Sequence, residues 1–199
     1  GQMHVRFDAA QNISPSAHLL NTPGDSSVVD IVPVRTGATL AGTPEIHYII
    51  DANPVFDTYR TAPVSGMALG VPAAIGSGAP TPGRWAFDLP DTGLLFPGDV
   101  LHYYIRAGDD VAGDVQYSTL PANISGYGDF SHPLAYNSTF VVHALPTIAD
   151  DGFGGYKVPP TLFWNDFANR GSEDEWYGAL DNLGYAAGQD YDIFYTNRP

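Results

Sequence analysis

The chain is expected to be mainly β, an antiparallel β-sandwich over residues 1–146 joined by a linker (147–160) to a short strand–helix–strand segment (161–199). Three observations predict this. After the turn signal Pro97-Gly98, Leu101, Tyr103, Ile105 and Ala107 alternate with His102, Tyr104 and Arg106, the period of a strand with one buried face. Such a face needs a second layer to cover it. Several other alternating runs lie between turn signals, and no helical period precedes residue 146. Beyond Pro146 the pattern changes to a short apolar run, a helix start signal and a second apolar run.

Taken in order, His4 to Phe7 alternates, and a polar stretch continues to Asp25. Ser27 to Val34 reads as a strand, with Pro33 at an edge or end because it cannot donate to a ladder. Thr36 to Pro44 reads as loop. Glu45 to Asp51 places Ile46, Tyr48 and Ile50 on one face. Asn53-Pro54 marks a turn, Phe56 to Val64 a further strand, and Met67 to Pro82 a Gly/Ala/Pro-rich loop. Arg84 to Leu89 groups Trp85, Phe87 and Leu89. The central strand follows, then Val115 to Leu120, a polar loop, and a strand from Ser138 to Leu145. Six or seven strands so spaced predict a Greek-key sandwich of immunoglobulin or fibronectin-III type.

In the last part, Thr161 to Trp164 is a strand and Ser172-Glu-Asp-Glu175 has the spacing of a capping box. Trp176, Ala179, Leu180 and Leu183 fall at helical spacing, Gly184 sits at a C-cap, and Asp190 to Tyr195 is the closing strand. Two parallel strands and one helix leave Phe163, Ile193 and Trp176 largely uncovered, whereas parallel sheets need cover on both faces. The expectation is a truncated α/β domain at the front of a longer protein. The alternative is docking on the sandwich or on another subunit.

Composition limits the function classes. Net charge is −14, with one lysine and seven arginines, which argues against nucleic acid and anionic membranes as partners. There is no cysteine, so disulfides, thiolate metal sites and a cysteine nucleophile are excluded within the chain. No apolar run approaches the roughly 20 residues that span a bilayer, so no membrane insertion is expected. There is no G-x-S-x-G, no H-E-x-x-H and no P-loop, and no catalytic residue is assigned.

Gly98-Asp-Val-Leu-His-Tyr-Tyr-Ile-Arg-Ala-Gly-Asp-Asp110, preceded by Gly83-Arg-Trp-Ala-Phe-Asp-Leu-Pro90, resembles bacterial secreted immunoglobulin/fibronectin-III-like modules over residues 27–145. The run from Thr161-Leu-Phe-Trp-Asn-Asp-Phe167 to Tyr195 resembles the opening βαβ of flavodoxin-like or amidotransferase-like domains. Some gingipain-like peptidases combine such parts. Their catalytic His and Cys have no counterpart here, since all six histidines lie in the sandwich region. The resemblance implies a secreted or cell-surface location and says little about activity.

Four groups of residues are candidate sites. Asn165, Asp166, Asn169 and Arg170 follow the first strand of the last segment, where open parallel sheets bind ligands. Asp109, Asp110 and Asp114 in one loop, and Asp150 and Asp151 in the linker, offer the hard oxygens that calcium prefers. His47 and His102 share one outward parity and, with Glu45, form a possible transition-metal set. Tyr104, Tyr117, Tyr127, Phe130 and Tyr136 can cluster as a stacking surface for sugars. Each has a plainer reading as turn, solvent face or core roof. Asn12, Asn123 and Asn137 open formal glycosylation sequons.

The first functional reading is a non-catalytic accessory module that spaces or supports an α/β neighbour, its partner being the remainder of the parent polypeptide or another subunit. The alternatives are an extracellular glycan-binding module and the non-catalytic part of a secreted hydrolase or peptidase.

Overall fold

In the computed structural model, which describes residues 4–9, 26–90, 92–165 and 172–195, the expected central strand is β8, Val100–Val111. Its inward side chains Leu101, Tyr103, Ile105 and Ala107 are all buried, as their parity requires. Four strands pair with it antiparallel. One edge takes β4 (Glu45–Asp51) and then β3 (Thr39–Leu40); the other takes β10 (Val141–His143) and then β9 (Asp114–Leu120). The edge strand β5 (Ser65–Leu69) pairs with β4, completing a six-stranded sheet.

A second antiparallel sheet runs β1 (Val5–Ala9), β2 (Ser27–Pro33), β7 (Arg84–Phe87), β6 (Val71–Pro72). Val5, Val29, Ile31 and Phe87 meet the inner face of the first sheet in one apolar core. The protein is therefore mainly β, with antiparallel sheets sharing a core. The chain changes sheets at Gly70, between β5 and β6, where a Cβ would lie 2.9 Å from the Phe87 ring. Gly70 N–H donates to the Pro44 carbonyl there (2.8 Å).

Four expected segments differ, the first being the loop Thr36 to Pro44, which supplies β3 to the edge of β8. Phe56 to Val64 is not a strand: Pro54–Tyr59 forms a 3-10 turn capped by the Asn53 side chain, which accepts from Val55 N–H at 3.1 Å. Asn53-Pro54 reads equally well as a cap with proline at the first helical position. The Gly/Ala-rich segment from Met67 contributes to β5 and β6 instead of staying loop, because β4 offers a free ladder edge to the first and β7 one to the second. The strand expected from Ser138 is shorter, with Ser138–Phe140 a 3-10 turn and only Val141–His143 paired.

The turn Phe96-Pro-Gly-Asp99 is built around a fully buried carboxylate. Asp99 accepts from Asn53 N–H (2.7 Å), Phe96 N–H (2.7 Å) and the Arg60 guanidinium (2.8 and 2.9 Å). Gly98 has φ +84°, and a Cβ there would lie 2.7 Å from Asn53 Nδ2. Both the backbone region and the space demand glycine.

In the last part β13 (Thr161–Asn165) and β14 (Tyr191–Tyr195) pair in parallel, with helix α1 (Glu173–Asn182) between them in the chain. A small two-stranded ladder, β11 (Ala149–Asp150) with β12 (Tyr156–Lys157), precedes them. The α1 C-terminus is a Schellman motif: Gly184 N–H donates to Asp181 O (2.9 Å) and Tyr185 N–H to Leu180 O (3.0 Å). The N-terminus departs from a capping box. Ser172 makes no side-chain cap, and Glu173 Oε1 accepts from Asn165 Nδ2 at 3.0 Å. The buried helix face is also rotated by one residue. Tyr177 and Leu180 pack on Phe163, Tyr191 and Ile193, while Trp176 and Leu183 are exposed.

Candidate functional site

Of the residues expected in the loop after the first strand, Asn165 is instead the last residue of β13, buried and holding Glu173; Asp166, Asn169 and Arg170 lie outside the described residues.

Asp109, Asp110 and Asp114 do not lie in one loop: the first two are in β8 and the third opens β9, because the hairpin turn is only two residues long, and all three already have partners. Asp109, fully buried, accepts from Arg35 Nε at 2.7 Å, and Asp114 accepts from Arg35 Nη1 at 2.5 Å. Arg35 thus stands between them where a cation would sit. Hydrogen bonding to Gln116 and then Arg35 holds the Asp114 carboxyl below its usual range. Asp110 accepts from Gly113 N–H (2.7 Å), closing the hairpin turn. In the linker Asp150 accepts from Gly152 N–H (2.7 Å), and Asp151 from Phe153 and Gly155 N–H (2.7 and 2.9 Å). These are Asx-type turns, which use carboxylates to fold a loop on itself. Among the described residues, no three His, Asp or Glu side chains form a group able to hold a metal ion.

His47 and His102 do share the outer face of the first sheet, but they sit diagonally. His47 lies opposite Tyr104 and stacks on it (4.8 Å), with Nε2 2.8 Å from Glu45. His102 lies opposite Ile49 and is only 4% exposed, between Phe130 (4.1 Å) and Tyr136 (4.9 Å). Its Nδ1 is 3.0 Å from the Tyr127 carbonyl, which can only accept, so Nδ1 carries the proton and Nε2 the lone pair. Burial lowers the His102 pKa, against smaller opposing effects of that carbonyl and of Asp129.

The tyrosines cluster as a roof. Tyr104 meets Tyr127 edge-on (4.7 Å), Tyr127 meets Tyr136 (6.1 Å), and the Tyr136 hydroxyl donates to Tyr103 O (2.9 Å). Burial, with Tyr104 as the next contribution, pushes the Tyr127 and Tyr136 hydroxyls up. Tyr117 stands apart, with the Arg106 guanidinium 3.8 Å above its ring. The faces of Tyr104, Phe130 and Tyr136 are taken up by stacking on His47 and His102.

One concave site arises from residues far apart in sequence. A cleft of about 420 Å³ lies between the outer face of β4, β8 and β10 and the turn joining α1 to β14. Asp51, Val100 and His143 form one cross-strand row along its floor, because Val100 is in register with both. His102 is two residues along β8, and His132 comes from the loop above. The opposite wall brings Asp181, the 184–189 turn, Tyr191 and Asp192. Two polar contacts tie the walls together. Asp192 accepts from Thr147 N–H with both oxygens at 3.2 Å, and His132 Nε2 lies 3.6 Å from Asp181. Burial, then repulsion from Asp99, raises the Asp51 carboxyl. The parity of Asp51 with His102 is visible in the sequence; their meeting with residues 181–192 is not, since no local pattern encodes it.

No family model, curated protein or solved structure matches the chain.

Proposed function

We propose that the chain is a non-catalytic support, an immunoglobulin/fibronectin-III-like sandwich that carries the opening βαβ of an α/β unit in a secreted or cell-surface protein. One observation carries the reading. Leu162, Trp164 and Phe194 share one face of the parallel β13–β14 ladder and are 54%, 61% and 42% exposed. Parallel ladders with an uncovered face are rare, since their faces are built to be buried by crossover elements. The other face is already packed by Tyr177 and Leu180. What fits the bare face is more chain of the same α/β kind, from the parent polypeptide. The secreted setting rests on the resemblance of the 27–145 segment and on the absence of cysteine and near-absence of lysine.

The test compares this chain with one extended by the residues its gene encodes next, reading acrylamide quenching of tryptophan and hydrogen exchange over Thr161–Asn165. Protection of Trp164 and slowed exchange in the longer chain are expected. An extended chain in which Trp164 stays open to quencher, or a gene that stops at Pro199, refutes the proposal.

A further inference from the structure

The cleft described above adjoins the bare β13–β14 face at Asp192, and its chemistry points to a ligand of its own. Its volume lies within the range of small-molecule sites, roughly 300–1,000 Å³. That is more than a bare ion needs, and the described residues contain no metal-holding group. Among the described residues no lysine or arginine lines it, whereas Asp51, Asp181 and Asp192 do. An anion would meet three carboxylates and no fixed cation.

Most remaining polar groups are biased in the same direction; the exception is His132, whose Nδ1 accepts from Leu134 N–H and whose Nε2–H faces Asp181 at 3.6 Å. With Nδ1 committed to Tyr127, the buried His102 ring contributes an accepting Nε2, and it makes no hydrogen bond there among the described residues. The N–H groups of the 184–189 turn are largely consumed within the turn. Gly184 donates to Asp181 O, Tyr185 to Leu180 O, Ala186 to Asp190 Oδ2 and Gly188 to Tyr191 O. The Asp51 carboxylate, on a residue whose backbone belongs to the β4–β8 ladder, makes no hydrogen bond or ion pair among the described residues. A site rich in open acceptors and poor in open donors selects a ligand that brings donors and positive charge.

We propose that this cleft binds a small aliphatic amine in its ammonium form, with Asp51 and His102 Nε2 on the floor and Asp181 on the opposite wall as the accepting groups. A neighbouring ammonium would also relieve the repulsion between Asp51 and Asp99, and the chain's overall −14 charge would raise the local amine concentration.

The experiment is a titration of the full chain, at pH 7.5 and about 150 mM salt, with cadaverine and separately with its neutral isostere 1,5-pentanediol, read by amide chemical shifts and calorimetry. Saturable cadaverine binding is expected, with shifts confined to Asp51, His102 and residues 184–189 and none for the diol. Asp51→Asn and Asp181→Asn should each weaken it by roughly tenfold or more, the loss of a charge-assisted contact. Asp174→Asn, the same charge change on the exposed side of α1, should leave it unchanged. The amide spectrum of each variant shows directly that it is folded. Absence of saturation, equal binding of the diol, or equal weakening by Asp51→Asn and Asp174→Asn would overturn the proposal. The last outcome would mean diffuse attraction to an acidic chain.

Discussion

Asp99→Ala should be among the most damaging single changes in this protein. The carboxylate is fully buried and accepts two backbone N–H groups, from Asn53 and Phe96, and both its oxygens face Arg60, whose side chain is itself almost wholly buried. Arg60 is fixed further by the Leu94 carbonyl and by the Phe96 ring, 5.0 Å from its guanidinium carbon. Removing Asp99 leaves a buried guanidinium without its counter-charge and two backbone donors without acceptors. Breaking a buried pair in this way costs about 3–5 kcal/mol. For a chain of this length that is a fall in Tm of roughly 6–20 °C, at about 2–4 °C per kcal/mol. The assay is urea unfolding followed by tryptophan emission. Arg60→Met alone should also destabilise, but the double variant should cost less than the sum, with a coupling of about 1–3 kcal/mol. A loss below about 1 kcal/mol for Asp99→Ala, or additivity within about 0.5 kcal/mol, would refute the reasoning.

Arg35→Gln should lower Tm more than Asp114→Ala, because only the former strips the buried Asp109 of its counter-charge; equal effects in a melting comparison would count against the clamp. His102, held neutral by burial, has a folded pKa below its unfolded value near 6.5. Its contribution is therefore fully present above that value and lost as pH falls below it, by at most about 1.4 kcal/mol per pH unit. The stability difference between wild type and His102→Gln should accordingly shrink from pH 7 to pH 5 in denaturant titrations, and a pH-independent difference would exclude it. Gly126→Ala should destabilise by about 1–3 kcal/mol, because its Cβ would overlap the Ala135 carbonyl. Gly128→Ala, with open space around it, should stay within about 0.5 kcal/mol.

Where sequence reading succeeded, the information was local and periodic. The alternation of Leu101, Tyr103 and Ile105, and of Ile46, Tyr48 and Ile50, is imposed by a half-buried strand and can be read without knowing the neighbour. Gly184 likewise announces its helix end through backbone geometry alone. Strands β5 and β6 escaped because edge strands are defined by ladder hydrogen bonds; Met67, Leu69 and Val71 are exposed and bear no core pattern. Residues 56–64 misled for the opposite reason. Their apolar content suggests a strand, but Arg60 is drawn to Asp99, thirty-nine positions away, and the backbone follows. The helix face was misjudged by one position because Trp176 and Tyr177 are both large and aromatic. Only the location of Phe163 and Ile193 selects Tyr177. The cleft was least legible, since its floor and its far wall have no shared local signal.

Asp192 holds the key to how the last segment is attached. By register it lies opposite Leu162, on the same side of the ladder as Trp164 and Phe194. Asp192 is nevertheless buried against Thr147, whereas Phe194 two residues on is exposed. The ladder therefore leans on the first linker residue, Thr147, at the start of β14 and is exposed toward the end, so that one contact borders both the cleft and the bare face. Asp192→Ala should release this lean without touching the main core. Hydrogen exchange over β13, α1 and β14 should quicken while β2, β4 and β8 keep their protection, as expected for a locally stabilised unit. If the cleft takes an ammonium ligand, cadaverine should slow the same exchange in the wild type, because a ligand that bridges both walls stabilises the closed arrangement it binds. Unchanged exchange in Asp192→Ala would show that packing at other points secures the segment. Loss of protection throughout β8 would show that the segment and the body unfold together.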